Sequence, residues 1–138
     1  MGCTSIKQVD FPSLYSVGAN TFQNCSSLES VNIPGIEIVS AYLFHSCVKL
    51  SRIELPSLKT LGAYGCTGCA SLATIILGSS SRCSLSNINA LQNTPIANGT
   101  GYIYVPYVLV DSYKTATNWS VYASQIRAIE DYPEITGG

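Results

Sequence analysis

The sequence has few charges. Lys, Arg, Asp and Glu make up 11% of its 138 residues, well under the roughly 25% that is typical of soluble domains. The formal net charge is −1 and the seven Lys and Arg residues are scattered. No basic cluster is present, and no apolar run reaches the ~18 residues of a membrane span. We therefore expect neither nucleic-acid binding nor membrane insertion.

Histidine is also scarce, which excludes most catalytic arrangements. The sequence has a single histidine, His45. No second histidine is present to serve as a base for a nucleophilic serine, and no carboxylate lies at a spacing from His45 that would suit a metal site. There is no Gly-x-Ser-x-Gly motif and no phosphate-binding loop that ends in Lys-Ser or Lys-Thr. The sequence therefore predicts no catalytic residue, no cofactor and no metal, and hence no enzyme.

What the sequence does have is a repeat of 22 residues. Four cysteines follow this interval: Cys3, Cys25, Cys47 and Cys69. The positions around them keep the same register and are mostly aliphatic: Ile6, Leu28, Leu50 and Leu72; Val9, Val31, Ile53 and Ile75; Phe11, Ile33, Leu55 and Leu77; Val17, Val39, Leu61 and Cys83. Phe22, Phe44 and Cys66 form a further set, as do Pro12, Pro34 and Pro56. Because the register has no gap over three to four copies, the repeat predicts a stack of equivalent coils.

Each unit is too short to fold alone, since six or seven buried apolar side chains do not offset the ordering of 22 residues. Stacking buries the apolar face of each coil against its neighbours, as in a solenoid. The segment from Leu28 to Pro34 alternates like a strand and ends at a residue that cannot donate to a ladder. We expect successive strands of this kind to pair in parallel, with a shorter second edge at Leu14 to Val17 and its copies.

The pattern Phe-x-x-Cys-x-x-Leu-x-x-Val-x-Ile-Pro, followed by Leu-x-x-Val or Leu-x-x-Leu-Gly, resembles the bacterial BspA-like leucine-rich repeats over about residues 3–78. The stretch from Ile103 to Pro106 and the residues after it are similar to the C-terminal ends of such proteins. The resemblance implies a leucine-rich-repeat-like curved solenoid, a parallel sheet of short strands and a small helical C-terminal cap. It also implies a non-catalytic binding role at the cell surface or in a secreted protein.

The register divides the chain into a solenoid over residues 1–90 and a continuous terminal part over 91–138. The interval from Ile75 to Ile103 is 28 residues, and we place the six extra residues within 91–101. After Pro106 the spacing becomes helical, with a second helix from about Trp119 to Gln125, capped at Asn118 or Ser120, and a closing strand over 127–132. We expect Trp119 to pack inside this cap.

The N-terminal coil shows no comparable cap. No signal-peptide pattern follows Met1, and the repeat is already in mid-phase at Cys3. We expect a longer natural protein, or self-association through the apolar top of the first coil, which we predict to expose Ile6, Val9 and Phe11.

The ladder spacing predicts reduced, buried thiols rather than disulfides, because equivalent side chains point in parallel. Each thiol would occupy a small slot and bond weakly to the backbone. Cys66-Thr-Gly-Cys69 has the spacing of a redox or half-zinc motif, but the repeat already accounts for both residues. The only further metal ligands would be Cys83 and His45, at unsuitable spacing.

Alternation along each strand assigns one face to solvent. The outward residues differ from rung to rung: Gln8 and Asp10; Ser30 and Asn32; Arg52 and Glu54; Thr74 and Ile76; Tyr102 and Tyr104. Solenoids build recognition surfaces in this way, and we predict binding of a protein or glycan at Arg52, Glu54, Thr74, Tyr102 and Tyr104. Two alternatives stay open: a spacer that positions neighbouring domains, and a less favoured thiol or metal site at Cys66 and Cys69.

Overall fold

The computed structural model describes residues 5–14, 17–18 and 20–136. Within these residues the chain forms nine short strands, one per straight segment of each coil. Their bounds are β1 (Gln8–Asp10), β2 (Ser30–Asn32), β3 (Ile38–Val39), β4 (Arg52–Glu54), β5 (Thr60–Leu61), β6 (Thr74–Ile76), β7 (Ser84–Leu85), β8 (Tyr102–Val105) and β9 (Ile126–Ala128).

All the strand pairs are parallel. On the main face, β1 pairs with β2, and β4, β6, β8 and β9 form a four-stranded sheet in that order. On the return path, β3, β5 and β7 form a three-stranded sheet. Ile53 pairs with Ile75 in register, and Ile75 pairs with Ile103. The predicted solenoid is therefore confirmed, with copies of the second edge at β3 and β5; part of the first copy, over 14–17, lies outside the described residues.

The inward residue of each main strand forms the core. Val9, Ile53, Ile75 and Ile103 are all buried, whereas Val31 is only half-buried. Ile6 and Phe11 of the first coil are 43% and 53% exposed, as expected. The expectation was wrong for Val9, because its side chain belongs to the buried hydrophobic core.

The cysteines form a column, as the register predicted. Cys25, Cys47 and Cys69 are all buried, while Cys3 lies outside the described residues. The Sγ of Cys47 donates to the carbonyl of Phe22 at 3.1 Å, and that of Cys69 donates to the carbonyl of Phe44 at 3.0 Å. The two phenylalanine rings stack with centroids 5.8 Å apart. One thiol niche and one ring niche thus repeat from coil to coil.

Each coil turns through residues in the left-handed backbone region, which recur at the repeat interval. They are Asn20, Tyr42 and Tyr64 at one turn, and Asn24, Ser46 and Gly68 immediately before the column of cysteines. Gly62 is required for a different reason: a Cβ built there would lie 2.4 Å from the carbonyl oxygen of Val39. The coils approach so closely at this point that only a residue without a side chain fits.

The extra residues of the last unit are not all where we expected them. Ser84 pairs with Thr60 and Leu85 pairs with Leu61, so two of the six extra residues precede β7 and four lie between β7 and β8. Leu85, not Cys83, is therefore the structural equivalent of Leu61. The shift arises because Cys83 is held by the cap: its amide donates to the Tyr113 hydroxyl, and its carbonyl accepts from Trp119 Nε1, each at 2.7 Å.

The C-terminal cap follows the prediction closely. A short 3-10 turn (Tyr107–Leu109) leads into α1 (Val110–Thr115), and a 3-10 helix spans Trp119–Gln125. Trp119 is buried and packs edge-on against Tyr113. Asn118 occupies the N-cap position, but its side chain bonds to the carbonyl of Leu85 instead of capping the helix. The closing strand is β9, shorter than predicted, and the chain continues in 3-10 turns (Ile129–Asp131 and Pro133–Thr136).

Candidate functional site

The outward face of the first three main strands is an exposed polar surface, which we call the strip. Asn32 donates to the Asp10 carboxylate at 2.8 Å, which links the first rung to the second. Arg52 and Glu54 form an ion pair at 3.0 Å, with side chains 43% and 44% exposed. The strip therefore presents charges of both signs that remain accessible to a partner, on strands whose inward residues are buried in β1 and β4 and half-buried in β2.

The strip is interrupted between β2 and β4. These strands contact each other, yet no backbone ladder joins them. In other strand pairs, the amide of the residue just after one strand donates to a carbonyl of the next strand. Examples are the amide of Leu55 with the carbonyl of Ile76 and the amide of Leu77 with the carbonyl of Tyr104, each at 2.9 Å. The equivalent bond from Ile33 to the carbonyl of Glu54 is not formed. A cleft of about 390 Å³ lies along this break.

The cleft combines polar side chains with a small apolar surface. Glu29, Asn32, Arg52 and Glu54 line it together with the half-buried Val31, and Pro34 and Pro56 lie at its far end. Arg52 and Glu54 were predicted as binding residues, and the structure brings them together at this cleft. Glu29 and Val31 were missed, because nothing in a regular repeat indicates that one pair of rungs will separate.

The aromatic end of the predicted surface is covered. Tyr104 is buried and packs edge-on against Tyr132, with ring centroids 5.4 Å apart. Ile76, its partner in the register, is buried too, and Thr74 and Tyr102 are half-buried. The expected exposed patch of Tyr102 and Tyr104 is therefore wrong for Tyr104, because the C-terminal segment folds back over the sheet.

A sixth rung explains this cover. Strand β9 pairs with β8 so that Arg127 lies opposite Tyr104. The Arg127 guanidinium carbon lies 3.3 Å from the centre of the Tyr102 ring and 4.6 Å from that of Tyr132. A cation between two aromatic rings is a stabilising arrangement, so Tyr102 has its partner within the chain. The alternation of Ile126, Arg127 and Ala128 was the signal for this rung.

Cys66, Cys69 and Cys83 are poorly suited to thiolate chemistry, because the pKa of each thiol is raised. Burial raises the pKa of Cys66 and of Cys83 to about 12. Hydrogen bonding between the sulfurs of Cys47 and Cys69 lowers the pKa of Cys47 and raises that of Cys69, whose burial raises it further. Cys66 and Cys69 are both inaccessible. In the part of the chain that the structure describes, no three His, Cys, Asp or Glu side chains are grouped as a metal would need.

A second aromatic group lies on the turns of the coils. The rings of Tyr42 and Tyr64 stack with centroids 5.0 Å apart, and the ring of His45 lies 5.4 Å from that of Tyr42. Asn89 donates to the Tyr64 hydroxyl at 3.1 Å. His45 is half-buried, and its Nδ1 lies 3.0 Å from the Ser46 hydroxyl, with which it forms a hydrogen bond. The faces of these rings pack on one another, so this group stabilises the stack of coils.

Short parallel strands repeated at a fixed interval around a column of buried side chains define a leucine-rich repeat scaffold. The chain belongs to the BspA-type leucine-rich repeat family: the family model matches residues 1–103 in six copies. The family is generally a non-enzymatic repeat scaffold whose members typically mediate protein interactions.

The chain is similar to a leucine-rich repeat protein from Bacteroides ovatus of known crystal structure, at 18% identity and a TM-score of 0.45. The match covers 78% of this chain and 42% of that protein, so this chain spans less than half of its length. No curated protein matches the sequence. Within the described residues, no helix is both long enough and apolar enough to cross a bilayer.

Proposed function

We propose that this chain is a non-catalytic recognition module of a bacterial surface or secreted protein, which binds a protein or glycan on the strip. The observation that supports the proposal is the contrast within each main strand. Inward residues repeat and are buried, apart from the half-buried Val31, whereas outward residues vary from rung to rung and stay exposed from Gln8 to Glu54. The need to form a core explains why the inward residues repeat, but it does not explain the chemical variety of the outward residues.

The surface available to a partner is smaller than the sequence indicated. Because Tyr104 is buried and Tyr102 is paired with Arg127, we place binding on the first three rungs and centre it on Arg52 and Glu54. An ion pair that is more than two-fifths exposed contributes little to stability. It can be broken and rearranged by a ligand at small cost.

The test uses arrays of bacterial and host glycans and of short peptides, probed with the labelled chain. We expect a defined subset of spots to bind, and we expect the double variant R52A/E54A to lose them. The matched control is K59A/E37A, which removes a second ion pair of the described residues, at 3.4 Å and away from the strip. Binding that survives R52A/E54A, or no binding on either array, would favour the spacer alternative.

Self-association through the first coil stays a prediction. A hollow of about 380 Å³ lined by Asp10 to Leu14 lies there, beside the exposed ring of Phe11. Sedimentation of the wild-type chain and of Phe11→Ser over a range of concentrations would measure it.

A further inference from the structure

We propose that the cleft between β2 and β4 receives a cationic side chain, Lys or Arg, from a partner protein. This inference rests on the proposed recognition function and specifies the chemistry of the partner at the centre of the strip. It is carried by three separate observations: an interrupted sheet, an unbalanced charge and an apolar floor.

The interrupted sheet leaves hydrogen-bond acceptors at both ends of the cleft. At one end, no amide of the next coil bonds to the carbonyl of Glu29, although Ala73 donates to Ser51 and Tyr102 donates to Ala73 at the equivalent places. At the other end, the carbonyl of Glu54 lacks its amide donor. The break equally leaves the amides of Ile33 and Ser51 without these bonds, so it provides donors as well as acceptors. Lys and Arg side chains carry only donors and can use the acceptors; the charge of the lining decides between a cation and an anion.

The charge of the lining favours the same ligand. Two carboxylates, Glu29 and Glu54, and one guanidinium, Arg52, line the cleft, so its formal charge at neutral pH is negative. Arg52 is already bonded to Glu54. Among the described residues, Glu29 makes no ion pair within 4 Å. The Asp10 carboxylate, bonded to Asn32, adds a further negative charge one rung away. A cation is attracted to this position and an anion is repelled.

The floor of the cleft suits the aliphatic part of a basic side chain. Val31 is half-buried, unlike its equivalents in every other rung, and Pro34 and Pro56 add apolar surface at one end. Long basic side chains lay their methylene groups along apolar surface while the charged end reaches polar groups. The volume of about 390 Å³ lies within the usual range of roughly 300–1,000 Å³ for ligand pockets.

The experiment is a titration of the full, ¹⁵N-labelled chain with blocked tripeptides of the form acetyl-Gly-X-Gly-amide, where X is Arg, Lys, Gln or Glu. We expect the Arg and Lys peptides to shift the amide resonances of Val31, Arg52 and Glu54 saturably, and the Gln and Glu peptides to leave them unchanged. Added salt should weaken the binding, because the contact is partly exposed.

The variant Glu29→Gln keeps the shape of the side chain and removes its charge. We expect it to raise the Kd of the Arg peptide by about two- to fivefold, the range of a partly exposed charge pair. Glu37→Gln, which removes the same charge away from the cleft, should leave the Kd unchanged. The spectra themselves report whether each variant is folded.

Shifts that are the same for the Gln peptide, or an unchanged Kd in Glu29→Gln, would overturn the inference. Its failure can be distinguished from failure of the recognition function. If array ligands lack basic groups but are still lost in R52A/E54A, recognition on the strip stands and the cationic partner is refuted. If no array ligand depends on R52A/E54A, the recognition function itself fails.

Discussion

Replacing Cys47 with alanine tests whether the cysteine column supports the fold. The side chain is fully buried, and its Sγ lies 3.1 Å from the carbonyl oxygen of Phe22. That carbonyl also accepts from the amide of Cys25 at 3.2 Å, so the substitution leaves no unsatisfied acceptor. The cost should therefore come from packing and from the weak hydrogen bonds of the thiol with the Phe22 carbonyl and the Cys69 sulfur.

The expected cost of Cys47→Ala is about 2 kcal/mol in the free energy of unfolding. Moving a group of methylene size out of the core costs about 0.8 kcal/mol. A void of roughly 30 Å³, the volume of one water molecule, adds about 0.7 kcal/mol at 24 cal/mol per Å³. The lost thiol contact adds about 0.5 kcal/mol. Cys25 and Cys69 occupy the same niche, so their alanine variants should cost the same within about 0.5 kcal/mol.

Urea unfolding followed by circular dichroism measures these differences, provided that the slope m is unchanged. The control is Val48→Ala in the adjacent position, which is 41% exposed and should shift stability by no more than about 0.5 kcal/mol. A cost below about 0.5 kcal/mol for Cys47→Ala would refute the reasoning. So would widely different costs at the three cysteines, because equivalent niches would then not be equivalent.

Three further predictions concern pH, close packing and the cap. Burial raises the pKa of Cys66 and Cys83 from 9.0 to about 12, so these thiols lose their protons at lower pH in the unfolded chain than in the folded one. The free energy of unfolding should therefore fall between pH 9 and 12 by about 1 kcal/mol per pH unit for each thiol. Urea titrations over this pH range should show a smaller slope for Cys66→Ala. Gly62→Ala places a Cβ 2.4 Å from a backbone carbonyl and should cost more than about 2 kcal/mol in thermal unfolding, whereas Gly78→Ala, whose nearest neighbours are 3.8 Å away, should be neutral or slightly stabilising. Trp119→Phe leaves the carbonyl of Cys83 without its indole donor and should lower the free energy of unfolding by about 1–3 kcal/mol. In this variant, hydrogen exchange should show that amides of the cap lose protection before those of the coils.

The parts of the fold that follow from local repetition could be predicted from the sequence. Pairing of Ile53 with Ile75 and the thiol contact of Cys47 both result from side chains placed at fixed intervals around one core. A 22-residue register fixes which face each of these residues occupies. No long-range information is needed beyond the stacking itself.

The parts that depend on contacts outside the register could not be predicted. Tyr104 is an outward residue by alternation, but Tyr132 covers it from beyond the last repeat. Cys83 left the register because the cap holds both its backbone groups. The separation of β2 from β4 could not be predicted either, because the 22-residue register continues without a gap across both strands. That separation decides the shape of the candidate site, so the site was only half predictable.

The stacked register is tested most directly by nuclear Overhauser spectra of the isotopically labelled chain. We expect cross-peaks between backbone protons of residues 22 apart, between Val9 and Val31 and between Ile53 and Ile75, and no interstrand ladder pattern between β2 and β4. Cross-peaks confined to near neighbours in the sequence, or strands paired at another interval, would contradict the account.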